Sequence, residues 1–203
     1  IESTFTLTPQ IGVWTTLTPD HLARHKTVNK YSEIKAKLLR NSQHQIFNGD
    51  DRYLYNLGES DWLAATWTSV QGKEHLQGNP ENGIWIEDNW VMKKKKKVLE
   101  ADSLKMPGDH NLQNLLMAVG IAKIAGIENS SIASAVTSFP GVAHRLEYIC
   151  TDGGADYIND SKATNYDAAN VGLTAVKSPV ILIAGGEAKE GDDLAWLETI
   201  KKK

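Results

Sequence analysis

The sequence predicts an α/β protein, and three observations carry that prediction. Short runs dense in β-branched and aromatic residues, at 11–17 and at Ile46-Phe47, alternate with stretches of helical period. The apolar run Val180-Ile181-Leu182-Ile183-Ala184 has the length of a buried strand and is followed at once by Gly185-Gly186. From 146 to 186 the order reads strand, strand, helix, strand, which is how an α/β domain begins.

The elements follow in order. Residues 11–17 are strand-like and give way at Thr18-Pro19-Asp20-His21, where proline and aspartate open a loop. Residues 31–41 read as a helix with Ile34, Leu38 and Leu39 on one face and Lys35, Lys37 and Arg40 largely on another. Ile46-Phe47 forms a short strand that stops at Asn48-Gly49-Asp50-Asp51, a strong turn sequence. Across 52–106, Trp- and Ile-bearing runs alternate with Gly, Asn and Asp turns, and a small β-meander is expected. Residues 93–97 are all lysine after Met92 and read as a solvated edge or loop, because consecutive lysines discourage edge-to-edge pairing.

Residues 111–124 read as a helix, with Leu112, Leu115, Leu116, Val119 and Ala122 spaced for one buried side and Gly126 closing it. A second helix over 130–139 ends at Pro140-Gly141, the best domain boundary in the chain. Two strands, 146–150 and 155–159, flank Gly153-Gly154. A helix over 165–176 then leads to a core strand over 180–184.

Composition narrows the function. The chain has 203 residues, 41% hydrophobic and 23% charged, which suits one large globular domain or two small ones. A net charge of −3 leaves no basic footprint for nucleic acid. No stretch approaches the roughly 20 apolar residues of a membrane span, so neither nucleic acid nor membrane is expected as a partner. Cys150 is the single cysteine; it excludes an intrachain disulfide and suits a reducing cytoplasm. The chain opens Ile1-Glu2-Ser3-Thr4, with no initiator methionine or signal segment, and stops at Lys201-Lys202-Lys203. Both ends are therefore expected to be cut from something longer.

Four clusters could carry chemistry. His21, with Asp20 beside it and His25 nearby, lies just past a strand end, where α/β sheets place ligands; it is either a ligand or an ordinary surface histidine. Lys35, on the polar face of its helix, reads on residue type alone as solvated. Gly108-Asp109-His110-Asn111-Leu112-Gln113-Asn114 opens a helix. Asp109 is placed to cap it, and Asn111 and Asn114 project on one side, for a polar ligand or for capping and turn roles.

The fourth cluster joins His144-Arg145, Asn159-Asp160-Ser161-Lys162-Ala163-Thr164-Asn165 and Gly185-Gly186-Glu187-Ala188-Lys189. Arg145 and Lys162 are cations suited to phosphate or carboxylate, and Thr164 offers a hydroxyl at a helix start. The glycine pair after an apolar strand allows close backbone approach by an anion.

These residues, in this order, resemble the Mur ligase family. The segment Trp14-Thr15-Thr16-Leu17-Thr18-Pro19-Asp20-His21-Leu22-Ala23-Arg24-His25 is similar to its N-x-x-x-D-H-L-D-R-H, and Tyr31-x-x-x-Lys35 to its Y-x-x-A-K, with Ile34 in place of the alanine. Gly108-x-His110-Asn111-x-x-Asn114 resembles its G-x-H-N-x-x-N, and Gly141-x-x-His144-Arg145-x-Glu147 its G-x-x-H-R-x-E. The run from Asn159 through Asn165, with Gly185-Gly186-x-x-Lys189, looks like the D-glutamate-adding branch.

The resemblance implies the later part of a central P-loop-type ATPase domain over 1–141, followed by the start of a Rossmann-like ligase domain over 142–203. It implies ATP-driven amide synthesis through an acyl phosphate, with ATP and Mg2+ as cofactors. D-glutamate would be joined to UDP-N-acetylmuramoyl-L-alanine in peptidoglycan synthesis, by a cytoplasmic monomer. His21 would bind magnesium, and Lys35 would do so as a carbamate, whose hard oxygens suit that ion where an ammonium would repel it. Asn111 and Asn114 would contact the nucleotide, Arg145 its phosphates and Asp160 its ribose. Lys162, Thr164 and Lys189 would hold the D-glutamate carboxylates, and Asp20 would touch the muramoyl substrate.

Departures from the pattern matter as much. The phosphate loop G-x-x-G-K-[ST] is absent; the chain's Gly72-Lys73 is followed by Glu74. Glu2 falls after the position of the family's metal-binding glutamate. A folylpolyglutamate-synthase-like ligase and a non-catalytic nucleotide-binding remnant are the rival readings, and the stretch from Asp160 to Asn165 argues for the muramoyl branch. The 203-residue chain alone is expected to show no ligase activity. A coupled phosphate-release assay with all three substrates checks this, and turnover above background would refute it.

Overall fold

The computed structural model describes residues 6–18, 22–58, 61–187 and 193–203, and of residues 22 and 23 the backbone. Contacts divide the chain into two compact units, residues 1–103 with 112–136, and residues 104–111 with 137–203.

The first unit is built on a six-stranded sheet in chain order: β1 (Ile11–Trp14), β2 (His44–Asn48), β3 (Thr66–Ser69), β4 (Ile84–Glu87), β5 (Trp90–Lys93) and β6 (Lys96–Glu100). β1 through β4 run parallel, and β4, β5 and β6 pair antiparallel. The meander expected over 52–106 is therefore real only for its second half. A parallel neighbour requires a crossover, and between β2 and β3 it contains a helix that periodicity missed, α3 (Arg52–Leu57). Six residues are too few to display a helical period. What marks α3 is its N-cap, Asp51, whose carboxylate accepts from the Leu54 amide at 2.9 Å.

Helix α1 (Leu22–His25) is a single turn, and α2 (Val28–Arg40) crosses from β1 to β2. The buried stripe of α2 is Ser32, Ala36 and Leu39, whereas Ile34 and Leu38 are only half-buried. Small residues at Ser32 and Ala36 let the backbone approach its packing partners, so the larger side chains sit at the flanks. The apolar pattern alone had the face rotated.

Against α2 and α3 the sheet packs an aromatic core. Phe47 and Trp67 are stacked at 4.8 Å between centroids, and Phe47 also meets Trp62 at 5.0 Å and Trp14 at 6.0 Å. Trp67 is fully buried, and its indole N–H donates to the Trp62 carbonyl at 3.0 Å. The lysine run makes the β5–β6 hairpin, with Lys94 and Lys95 at its turn. Burial, then the charges of Lys94 and Lys123, push the Lys93 ammonium below its ordinary range.

Helix α4 (Asp109–Ile124) buries Leu115, Leu116, Met117 and Val119, with Leu112 and Ala122 half-buried. It begins at Asp109 itself and ends before Gly126, at φ 78°. Helix α5 (Asn129–Ser138) follows.

The second unit takes in the start of α4 together with a two-stranded hairpin, β7 (Glu147–Asp152) and β8 (Ala155–Asn159), and two helices, α6 (Tyr166–Ala175) and α7 (Leu194–Lys202). Its interior is small: Leu146 and Leu173 are buried, and Tyr166 meets Trp196 at 5.6 Å. The core strand expected over 180–184 is not formed, and Ile181 and Ile183 are each 95% exposed. An apolar run becomes a strand only when a neighbour completes its ladder. Among the described residues of this unit, β7 and β8 pair only with each other.

Two outcomes test this packing. Trp67→Ala is expected to cost about 3–5 kcal/mol, the usual range for emptying a large aromatic site, read from chemical denaturation of the chain. His110 is half-buried, and desolvation holds its imidazole below the ordinary value, with Asp160 and Asp109 opposing. The unfolded chain thus binds the proton more readily. The stability from neutral His110 is present above about pH 6.5 and is lost as pH falls toward the lower folded value. His110→Gln should flatten that part of the melting-temperature profile; an unchanged slope would assign the effect elsewhere.

Candidate functional site

In parallel sheets ligands collect beyond the C-terminal strand ends, and in the first unit that edge is densely hydrogen-bonded. Asn48, 3% exposed at the end of β2, donates to the Thr15 carbonyl at 3.0 Å and to Gln113 Oε1 at 3.2 Å. Asp50 accepts from Ser69 Oγ at 2.6 Å, the Val70 amide at 2.8 Å and Gln71 Nε2 at 3.1 Å. Besides capping α3, Asp51 accepts from Thr16 Oγ1 at 2.6 Å and the Leu17 amide at 3.0 Å. Gly49 lets the chain pass close to β3: a Cβ there would lie 2.9 Å from the Thr68 carbonyl oxygen. A shallow cavity of about 320 Å³, lined by Leu17, Asp51, Arg52, Tyr53 and Asn56, opens on this edge. The sequence reading took Asn48-Gly49-Asp50-Asp51 as a turn only. The signal for more was two adjacent carboxylates directly after a buried strand.

Lys35 projects from α2 with its ammonium 4.8 Å above the centroid of the Tyr31 ring, and His25 stacks on the same ring at 5.3 Å. The lysine is thus half-buried beside an aromatic pair, not simply solvated. Asp20 and His21 lie outside the described residues, as does Lys189. Among the described residues no three acidic, histidine or cysteine side chains gather as a metal site.

At the start of α4, Asn111 and Asn114 have different environments. Asn111 is 7% exposed and its amide nitrogen donates to the Pro107 carbonyl at 2.7 Å, while Asn114 is exposed.

In the second unit the segments around Arg145 and Asp160 are knitted together. His144 and Leu146 both adopt left-handed backbone, at φ 65° and 44°, with Arg145 exposed between them. Such a turn is unfavourable for side chains of this size, and it is held from several directions. Asp160 Oδ1 accepts from the Leu146 amide at 3.1 Å, and Glu147 Oε2 from the His144 amide at 2.8 Å. Asn159 Nδ2 meets His144 Nδ1 at 2.9 Å, and the Lys162 amide donates to the His144 carbonyl at 3.0 Å.

The sequence-predicted Arg145, Asp160 and Lys162 are therefore joined through one backbone network, with the two cationic side chains exposed. Asp160 is itself half-buried, with one carboxylate oxygen already engaged. Thr164 is exposed and precedes α6, whose N-cap is Asn165, accepting from the Ala168 amide at 2.8 Å. Gly185 and Gly186 are exposed, and a Cβ on either would meet nothing within 4 Å among the described residues. The residues that sequence reasoning missed are Asn159 and Glu147 as supports of the turn. Both stand within the family-like motifs, but nothing in spacing assigns them to each other.

The chain spans under half the length of the relatives it matches. It is 59% identical over 203 residues to the UDP-N-acetylmuramoylalanine–D-glutamate ligase of Microcystis aeruginosa, covering all of this chain and 45% of that protein. It is 62% identical over 206 residues to the enzyme of the same name from a Nostoc species, covering 99% and 44%. Among solved structures, a pseudomurein peptide ligase type C from Methanothermus fervidus aligns with a TM-score of 0.65 at 19% identity, over 83% of this chain and 41% of that one. The UDP-N-acetylmuramate-alanine ligase of Thermotoga maritima aligns at 0.60 and 21%, over 83% and 38%. At such identities these two bear on the fold alone. Residues 2–122 match the model of the Mur ligase middle domain. That match covers more than half of the chain, and the protein belongs to the Mur ligase family.

Proposed function

We propose that the intact protein containing this chain is an ATP-dependent ligase that joins D-glutamate to UDP-N-acetylmuramoyl-L-alanine in peptidoglycan synthesis. The observation that carries this reading is the breadth of the likeness: relatives bearing that enzyme's name are about 60% identical across both units of the chain. We place the protein in the cytoplasm as a monomer. No helix among the described residues is long and apolar enough to cross a membrane.

The chemistry is two displacements. The substrate carboxylate attacks the γ-phosphorus of ATP, the bond from that phosphorus to the bridging oxygen breaks, and ADP departs as the acyl phosphate forms. The amine of D-glutamate then attacks the acyl carbon, an amide bond forms, and phosphate departs. Each step concentrates negative charge, which fixed cations and N–H donors stabilise.

Arg145, presented on its strained turn, is assigned to the phosphates, and Asp160 to the ribose. One N–H of the Asn111 amide is committed to Pro107, which leaves its carbonyl oxygen to accept from a purine and its second N–H to donate. Asn114, exposed one turn on, is assigned to the same nucleotide. Lys162, Thr164 and Lys189 are assigned to the two carboxylates of D-glutamate, and Asp20 to the muramoyl substrate. The boundary between the ATPase and ligase domains is placed at Gly141.

Magnesium, when bound, would neutralise phosphate charge; His21 and Lys35 are proposed to hold it. The described residues do not form its site by themselves, and no step is assigned to it. Carbamylation of Lys35 would exchange the cation above Tyr31 for an anion. The attraction to the ring face would be lost, and the side chain would be free to turn away.

Two measurements test the reading. In the intact protein, phosphate release should require ATP, the muramoyl nucleotide and D-glutamate together, and neither L-lysine nor diaminopimelate should replace D-glutamate. Equal turnover with either would sink it. Arg145→Ala should lower kcat by about 100- to 1000-fold, as loss of one preorganised charge-stabilising donor does elsewhere; a change confined to KM would remove Arg145 from the transition state.

A further inference from the structure

We infer that Gly172, an interior residue of α6, is a positioning residue that acts on Arg145 through Asp160; the inference rests on the nucleotide reading of that site. Glycine is the poorest helix former after proline, and Gly172 is buried. Its missing side chain has one evident structural consequence. A Cβ at Gly172 would fall inside the van der Waals shell of Asp160 Oδ2, and 3.3 Å from Asp160 Cγ.

The carboxylate therefore occupies a slot that only glycine leaves open. From that slot its other oxygen, Oδ1, accepts from the Leu146 amide at 3.1 Å. Leu146, at φ 44°, is one of the two left-handed residues that flank Arg145. Each link is local. The slot fixes the carboxylate, the carboxylate fixes a backbone conformation that leucine would otherwise abandon, and that conformation aims the arginine.

An added methyl displaces the Asp160 side chain before it displaces backbone, because the atom it meets is the rotatable end of a short side chain. Gly172→Ala should therefore leave the melting temperature unchanged or raised, the gain in helix propensity offsetting the lost hydrogen bond. A residue holding the fold together would show the reverse.

The test is a double-mutant cycle on the intact protein, with two readouts: hydrogen exchange at the Leu146 amide, and ATP affinity by calorimetry. Gly172→Ala should speed Leu146 exchange and weaken ATP by about 10-fold, the lower end of what losing an orienting partner costs. Asp160→Ala, which needs no room at Gly172, should speed Leu146 exchange likewise and weaken ATP by at least as much, since it also removes the proposed ribose contact; it guards against misfolding in the first variant. In the Asp160→Ala background, Gly172→Ala should cost nothing further.

Additive losses, or Leu146 exchange unchanged by Gly172→Ala, would overturn the inference. If Arg145→Ala weakens ATP while Gly172→Ala does not, the inference fails and the nucleotide reading stands. If Arg145→Ala, Asp160→Ala and Gly172→Ala all leave ATP affinity untouched, the nucleotide reading fails and the inference falls with it.

Discussion

Three parallel strands that end at one level send three chain segments over the same sheet edge, and the hydrogen bonds of Asn48, Asp50 and Asp51 hold those segments in place. Each of these side chains reaches a different neighbour. Asn48 ties β2 to the segment leaving β1 and to Gln113; Asp50 ties it to the segment leaving β3; Asp51 ties the start of α3 to Thr16 and Leu17. A half-buried carboxylate with several good donors is held rigid; with its donors removed it would be costly to keep there. The core that contains Trp14, Phe47, Trp62 and Trp67 supplies apolar burial. This polar row decides where the loops begin.

The same dependence explains which parts of the fold were legible in the sequence. Elements with a strong period or a clear stop were read nearly to their ends: α4 with Gly126, α5 with Pro140, the hairpin around Gly153-Gly154, and α6 behind Asn165. The failures have separate physical causes. α3 is shorter than two helical turns, so no period exists to detect, and its N-cap does not stand out within a turn sequence. The face of α2 was misjudged because small residues, not large ones, mark the close approach. The run over 180–184 has strand composition, but composition cannot supply a partner strand.

Of the candidate site, the residue types were legible and their roles as supports were not. Arg145, Asp160 and Lys162 stand in recognisable patterns. That Asp160 holds the Leu146 amide, and that Asn159 and Glu147 hold His144, depends on a turn through left-handed backbone at two bulky residues. Sequence offers no warning of such a turn, since glycine or asparagine would be the usual occupant. The His110 imidazole is similar. Its place in a motif carries no sign of burial, and its lowered pKa follows from that burial, with Asp160 and Asp109 pulling the other way.

Both units follow one economy of charge. Asp51 in the first and Asp160 in the second each turn a carboxylate onto the protein's own backbone, at Leu17 and at Leu146, and each fixes a segment adjoining a proposed functional residue. Arg145 and Lys162 are left exposed, and Lys35 rests on a neutral ring. A net charge of −3 over the chain conceals this division. Asp51 and Asp160 hold backbone, and among the described residues neither Arg145 nor Lys162 is in an ion pair. An exposed cation of this kind can take an anion without first displacing an internal partner, so the attraction between the two charges has only their own desolvation to offset. An acceptor of phosphate and carboxylate groups needs that division of labour, and it is set by hydrogen bonds to main-chain amides more than by the count of charged residues.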